Sequence, residues 1–492
     1  MTAFVPLLLL LLPLVSALIS FSLPARYALW RDVANLLFAL AKLALVGLLL
    51  LQVRAELDRE WRYEFLPGQD FLLRVDSMAL LFVTLSAFLW LVTTVYAIAY
   101  FKRGPNLARF FGFFNLCVLS ATGVAMSGTA ITFFVFYELL TLATWPLVVH
   151  KGDEHSLRAG RTYLVYTLAG SAAFLAGILW LKALVGSIEF TAPPDLSGIP
   201  PLTLTLIFML CVGGLGVKAA LVPLHGWLPT AMAAPAPVSA LLHAVAVVKA
   251  GAFGIVRMIY DVYGLETVAE LGLGLPLAIL ASATILYGSL RALMQTDIKK
   301  RLAYSTVSQV SYIVLGASLA GPIAAVGGLV HLVHQGITKI TLFMCAGALT
   351  ERLGIKAVSD LDGAGRAMPI TLAAFTVGAL GMIGVPPVAG FVSKWYLGMG
   401  GLQSDNGWVV AVLIGSSLLN AAYFLPLLYR AWLLPGRADT PHVAELSGGW
   451  NLMLVLPAAV TALASLSAGL FAAFPFSPLS WATLIAETEY FR

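Results

Sequence analysis

Apolar runs about as long as a membrane span recur along the whole chain, separated by short polar breaks. They fall near residues 3–23, 33–53, 76–100, 107–127, 129–150, 160–185, 202–233, 237–261, 267–292, 302–320, 323–351, 367–399, 408–433 and 450–475. A helix needs ~20 apolar residues to cross the hydrocarbon core, so the pattern predicts an all-α integral membrane fold of about fourteen transmembrane helices. Two runs, 202–233 and 367–399, are unusually long. Proline interrupts both, at Pro223 in the first and at Pro386 and Pro387 in the second.

The polar breaks test this division. Loops after runs one, three, five, nine, eleven and thirteen carry Arg26 and Arg31; Lys102, Arg103 and Arg109; Lys151, Arg158 and Arg161; Lys299, Lys300 and Arg301; Arg352, Lys356 and Arg366; and Arg430 and Arg437. Loops after runs four, six, ten and twelve carry essentially none. Basic loops favour the cytoplasmic side. The alternation therefore predicts a multi-pass protein of the cell inner (plasma) membrane with both termini outside. The loop 54–74 departs from it, because Arg54, Arg59, Arg62 and Arg74 are interleaved with Glu56, Asp58, Glu60, Glu64 and Asp70. The segment Phe4–Phe21 is apolar and lacks the basic start and cleavage site of a signal peptide, so it reads as a retained first span.

The interrupted runs lie five spans apart, an odd number, so the second copy would be inverted. This predicts two inverted five-helix repeats, each with a proline-broken helix. The expected organisation is 1–101 for the first three helices, 102–262 and 263–433 for the repeats, and 434–492 for the last helix and a short tail.

Composition agrees with the pattern. Hydrophobic residues make up 60% of the 492 positions and charged residues 11%, against roughly 25% charged in soluble domains. The net charge of +5 is not gathered into one patch, which argues against nucleic-acid binding. Cys117, Cys211 and Cys345 are isolated in apolar runs and form no CxxC pair, so no iron–sulfur, zinc or disulfide chemistry is implied. With no phosphate-binding glycine loop and no Ser/His/Asp constellation, the chain is assigned no cofactor and no metal. It would be part of an enzyme only through its partners.

The candidate chemistry lies in ionisable residues inside apolar runs. Such residues cost on the order of 2.5–3.5 kcal/mol at the bilayer centre and usually mark ion or proton routes. Glu138 sits mid-run in FFVFYELLTLATW, with Thr141 on the same helical face; a structural ion pair is its plainer reading. Lys218 precedes Pro223, which leaves the Ala219 carbonyl without its helical donor. Lys249 lies halfway along its run, beyond snorkelling reach of either end. His243 precedes it by six residues and is either a neighbour in a water chain or a structural histidine. His331, Gln335 and Lys339 are spaced i, i+4, i+8 and form one polar stripe, with His334 at its edge. Lys394 follows the second break, where Pro386 and Pro387 release the carbonyls of Met382 and Ile383; an interfacial anchor beside Trp395 and Tyr396 is its alternative. Asp297, in a basic loop, is an auxiliary candidate with a purely local role as the alternative. Asp76 opens a helix, where a carboxylate suits the dipole. Lys182, Arg257 and Arg291 lie near run ends and read as snorkelling. Lys42 lies mid-run, and the sequence gives it no role beyond contact with lipid or a partner subunit.

The run GVKAALVPLHGWLPTAMAAPAPVSALLHA resembles the signature of the antiporter-like proton-translocating subunits shared by respiratory complex I (NADH:quinone oxidoreductase), Mrp-type Na+/H+ antiporters and membrane-bound hydrogenases. FVFYELLTLATW, DIKKRLAYSTVSQVSY, HLVHQGITKITLFMCAG and PPVAGFVSKW extend the resemblance from Asp76 to about residue 433. Length and pattern are most similar to the mid-sized Mrp D or complex I fourth-subunit type. The resemblance implies fourteen helices with two inverted repeats. It implies Glu138 and Lys218 as a coupled pair, Lys249 as the central lysine, His334 and Lys339 as the continuing axis, and Lys394 at an exit half-channel. It implies a proton-conducting subunit of a multisubunit cation/proton antiporter or proton-pumping complex, with other membrane subunits as partners and sodium as an open second ion. The alternatives are a membrane subunit of a redox complex and a proton-coupled partner of inorganic-carbon uptake.

Overall fold

The computed structural model describes residues 4–51, 59–66, 69–102, 104–436 and 445–491. Arg54, Glu56, Asp58, Arg103 and Arg437, named above for their loop charge, lie outside the described residues. Among those described, 12 helices are long and apolar enough to cross a membrane. They run from Val5–Ser22 near the N-terminus to Gly449–Leu470. Two of the expected runs take other forms. Residues 302–320 fall mostly in the helix Ile298–Ser318, which carries Lys299, Lys300, Arg301 and Gln309 and is too polar to qualify. Residues 367–399 divide into Pro369–Ile383 and Ala389–Gln403.

The chain forms two compact units. The first comprises Met1–Leu91, Pro105–Ala233 and Val245–Ala278, and the second Val92–Gly104, Ala234–Ala244 and Ile279–Arg492.

In the first unit, the run expected at 202–233 is helical only from Pro201 to Lys218. Pro223 has no N–H for the Ala219 carbonyl, and Ala220 takes a left-handed φ of 58°. The Leu221 N–H turns back to the Gly216 carbonyl at 2.9 Å. Helix resumes at Trp227–Thr230, whose first residue donates from its indole to the Val217 carbonyl at 2.7 Å. The run expected at 237–261 is interrupted too, between Ala236–Ala244, which belongs to the second unit, and Val247–Arg257, which belongs to the first. No proline or glycine marks residues 245–246, so this break has no local sequence signal.

The expectation of helices alone misses one element. Arg59–Leu66 pairs antiparallel with Gln69–Val75, placing Trp61 opposite Leu73 and Tyr63 opposite Phe71. Aromatic and charged residues alternate from Glu60 to Phe65, which is the two-residue period of a strand. Arg62 grips the Glu189 carboxylate with both terminal nitrogens at 3.0 Å and Asp70 at 2.7 Å. These acidic partners, Glu189 first, push the arginine above its usual range.

Arg257 does not snorkel. It is buried, 2.6 Å from Asp76 and 2.8 Å from Asp261, and its guanidinium lies 5.5 Å and 5.3 Å from the Phe190 and Phe253 ring centroids. Two carboxylates on either side make an inward rotamer favourable over reaching for the interface.

In the second unit, Pro322–Leu353 is an unbroken helix of 32 residues and is its buried centre. Pro369–Ile383 starts at a carboxylate: Glu445 accepts from the Ile370 and Thr371 N–H groups at 2.7 and 2.9 Å, complementing the helix N-terminus. It ends at Gly384, whose φ of 90° suits glycine.

Removing one member of a buried ion cluster leaves uncompensated charge, at a cost of about 3–5 kcal/mol. Arg257→Met is therefore expected to lower the thermal unfolding midpoint of the solubilised protein sharply. Combining it with Asp76→Asn and Asp261→Asn is expected to recover most of the loss.

Candidate proton-transfer site

Lys218 is the last residue of its helix, where the C-terminal dipole favours a cation. It is fully buried. Its Nζ donates to the Tyr137 carbonyl at 2.5 Å and lies 3.3 Å from the Tyr137 ring centroid. The Glu138 carboxylate is 4.0 Å away, and the Glu138 side chain keeps 19% exposure. The Ala219 carbonyl freed by Pro223 was the expected partner. The structure places the ammonium on the Tyr137 carbonyl instead, which the Lys218 side chain reaches from the end of its helix. At 4.0 Å a unit charge pair is worth on the order of 4 kcal/mol at an effective dielectric of 20, before desolvation. A shift of the carboxylate by one or two ångströms therefore changes how tightly the lysine holds its proton.

Lys249 is also fully buried. The break at 245–246 puts it in the first turn of Val247–Arg257 rather than halfway along a continuous span. Gly251, two residues on, is where this helix meets the end of the Lys218 helix. A Cβ there would lie 2.7 Å from the Leu215 carbonyl oxygen and 2.8 Å from the Lys218 carbonyl carbon. His243 lies in the other unit, at the end of Ala236–Ala244, with its ring 4.5 Å from that of Phe343.

In the second unit the polar stripe lies on one helix. Lys339 donates to the Leu302 carbonyl at 3.2 Å and contacts the Ser305 hydroxyl. His331 shares a 2.8 Å hydrogen bond with the Ser393 hydroxyl and stacks on Tyr312 at 5.0 Å. These contacts make Ile298–Ser318 and Pro322–Leu353 antiparallel neighbours, so Gln309 and Gln335 sit at one level between Lys339 and His331. Both amide groups are buried without a protein hydrogen-bond partner among the described residues. His334 is fully buried at the edge of the stripe.

Lys394 is buried rather than anchored at the interface; the neighbouring Trp395 is exposed. Its Nζ donates to the Met382 carbonyl at 3.0 Å, to the Ile383 carbonyl at 2.8 Å and to the Ser417 hydroxyl at 3.0 Å. These are the two carbonyls that Pro386 and Pro387 release. Nζ also lies 5.5 Å from the Tyr312 ring, so Tyr312 touches both His331 and Lys394. Asp297, by contrast, caps the helix Ile298–Ser318 by accepting from the Lys300 N–H at 2.8 Å, which is a structural role. Gln309, Tyr312, Ser305 and Ser393 were not singled out from sequence. Their signal is the low apolar content of residues 298–318 and, for Ser393, its place next to Lys394.

The family model described as NADH:quinone oxidoreductase/Mrp antiporter, TM, matches residues 127–420. The chain belongs to that family. It is 36% identical to NADH-quinone oxidoreductase subunit N of Desulforudis audaxviator, over 94% of this chain and 93% of that one. It is 32% identical to a putative antiporter subunit of Staphylococcus aureus, over 65% of this chain and 42% of that one. Its fold matches a chain of the Mrp complex from Dietzia sp. with a TM-score of 0.88 at 23% identity, covering 99% of this chain and 97% of that one. It matches a chain of Thermus thermophilus respiratory complex I with a TM-score of 0.83 at 24% identity, covering 99% of each. The matched region 127–420 contains Glu138, Lys218, Lys249, His334, Lys339 and Lys394.

Gly251→Ala forces the Lys218 helix end away from its neighbour, because the obstructing atoms are backbone. The expected result is an assembled protein with proton transport reduced at least about tenfold, a change of 1.4 kcal/mol or more in the barrier. Transport by vesicles carrying the variant in its native complex measures it.

Proposed function

We propose that this chain is the proton-conducting membrane subunit of a multisubunit complex. Protons move along Glu138, Lys218 and Lys249 in the first unit and His334, Lys339 and Lys394 in the second. One observation carries the reading: Lys218, Lys249, Lys339 and Lys394 are all buried inside a membrane fold. Lys218, Lys339 and Lys394 also rest on backbone carbonyls. An ammonium on carbonyl oxygens is held without being locked in a carboxylate pair, so a modest change in nearby charge can load or unload it.

In this reading the Glu138–Lys218 pair is the switch. When the carboxylate closes on Lys218 the charged ammonium is favoured; when it withdraws, the proton passes on. Gln309 and Gln335 line the stretch between Lys339 and His331, and His334 stands beside it. The two breaks, at 219–226 and 384–388, belong to inverted five-helix repeats spanning 102–262 and 263–433 of a fourteen-helix fold. The protein sits in the inner (plasma) membrane with both termini outside. No cofactor is assigned to this chain, so the driving energy comes from partner subunits or an ion gradient. One relative, matched over 93% of its length, is an NADH-quinone oxidoreductase subunit, which favours a redox-driven partner over an antiporter setting.

Glu138→Gln and Lys218→Met test the switch in the native complex. Each is expected to leave assembly intact and to reduce proton translocation at least about tenfold. Translocation at the wild-type rate in an assembled Lys218→Met complex would overturn the reading.

A further inference from the structure

Lys394 sits in a cradle of three oxygens, and proton conduction requires that cradle to fit two charge states. The ammonium has three N–H groups. They meet the Met382 carbonyl at 3.0 Å, the Ile383 carbonyl at 2.8 Å and the Ser417 hydroxyl at 3.0 Å. Donors and acceptors match one to one. After one proton leaves, the amine has two N–H groups and a lone pair. That lone pair faces oxygen lone pairs unless one of the three oxygens turns a hydrogen toward it. A backbone carbonyl carries no hydrogen, whereas a hydroxyl both donates and accepts. Ser417 accepts from Lys394 and makes no further hydrogen bond among the described residues, so its own hydrogen is free to turn.

The Met382 carbonyl is shared. Its helical donor would be residue 386, a proline without an N–H. Asn420, fully buried, donates to it from Nδ2 at 2.8 Å, beside Lys394. Tyr423 donates its O–H to Asn420 Oδ1 at 2.7 Å, and Ser289 donates to the same oxygen at 3.4 Å. These two donors fix which way the amide points. A buried carbonyl needs a partner. Asn420 supplies one that is uncharged and does not depend on the proton of Lys394.

Ser417 and Asn420 stand three residues apart on the helix Trp408–Leu433, as neighbours on its surface; Tyr423 is the titratable group behind them. The other elements around Lys394 bring few titratable groups. Tyr312, on Ile298–Ser318, has its ring 5.5 Å from Nζ. Pro322–Leu353 brings His331, bonded to Ser393, and His334, opposite Ala389 at the start of the Lys394 helix. Pro369–Ile383 and Gly449–Leu470 contain no titratable residue. Among the described residues Lys394 forms no ion pair. Its proton is therefore held by neutral groups, and their hydrogen bonds decide how readily it leaves.

We propose that Ser417 and Asn420 are positioning residues that let Lys394 release and retake its proton: Ser417 turns from acceptor to donor, and Asn420 holds the Met382 carbonyl in both states. This rests on the proton-conducting reading above. On release, one N–H bond of the ammonium breaks, the proton passes to a water molecule of the path, and the electron pair stays on Nζ. Ser417 keeps its own hydrogen and aims it at that pair. The two remaining N–H groups stay on the carbonyls. Rebinding reverses each step, with no electron transfer.

Proton translocation by the native complex in proteoliposomes, measured across pH, tests this with Ser417→Val, Ser417→Thr and Asn420→Leu beside Lys218→Met. Valine and threonine share a shape and differ by the hydroxyl. The inference expects Ser417→Val to lose at least about fivefold in rate and Ser417→Thr to stay within about twofold of wild type. Asn420→Leu leaves the Met382 carbonyl to Lys394 alone, which tightens its hold on the proton. The pH of half-maximal rate is expected to rise by about half a unit or more. If Asn420→Leu fails to assemble, the isosteric Asn420→Asp decides by the same upward shift, since a carboxylate there also favours the ammonium. Equal rates in Ser417→Val and Ser417→Thr, or a change at Asn420 that leaves the pH profile in place, mark merely structural contacts and would overturn the inference. If Lys218→Met also pumps normally, the proton-conducting reading itself fails; if Lys218→Met is impaired and the Ser417 and Asn420 variants behave as structural, this inference alone fails.

Discussion

A lysine ammonium in a bilayer must find oxygen, and a helix keeps nearly all of its oxygens for itself. That conflict shapes the polar sites of this chain. At two of them it is resolved where a helix stops. At Pro386 and Pro387 the helix Pro369–Ile383 gives up its last carbonyls, and Lys394 takes two of them. At Lys218 the ammonium reaches a carbonyl of the neighbouring helix, just where its own helix ends. Non-helical backbone at this depth persists only inside protein or beside water, so each break requires close packing around it. Gly251 against the Lys218 helix end supplies one such approach.

The same constraint explains which charges are structural. Arg257 has two carboxylates within 2.8 Å and Asp297 has a helix N-terminus, so both are satisfied locally. Lys218, Lys339 and Lys394 are satisfied by neutral oxygens, and Lys218 has a carboxylate only at 4.0 Å. A charge that is neutralised by a close partner is fixed. A charge that rests on dipoles can come and go, which is what proton conduction requires.

Much of this was legible in the chain. Apolar runs mark the helices, and proline marks the two breaks. The i→i−4 rule names Met382 and Ile383 as the carbonyls left free, and the structure puts Lys394 there. The same rule names Ala219 for Lys218, and tertiary packing overrides it with Tyr137. The break at 245–246 has no signal, because neither proline nor glycine marks it. The first paired strand, Arg59–Leu66, is readable in the alternation of Trp61, Tyr63 and Phe65 with charged residues, a period that the mixed charge of the loop obscures. Lys42 was visible as a charge in an apolar run, but its 2.5 Å contact with Thr122 joins two helices and is encoded in neither alone.

The central claim is that the buried lysines belong to a hydrated polar line rather than to a dry, charged core. The stretch between Lys339 and His331 tests it most directly, because Gln309 and Gln335 there have buried amides without protein partners among the described residues. A density map of the native complex sharp enough to show ordered water decides the matter. The account expects water within hydrogen-bonding distance of both amides, linking the Lys339 side to the His331 side. A dry, close-packed contact between those side chains, with no water from Lys339 to His331, would contradict it.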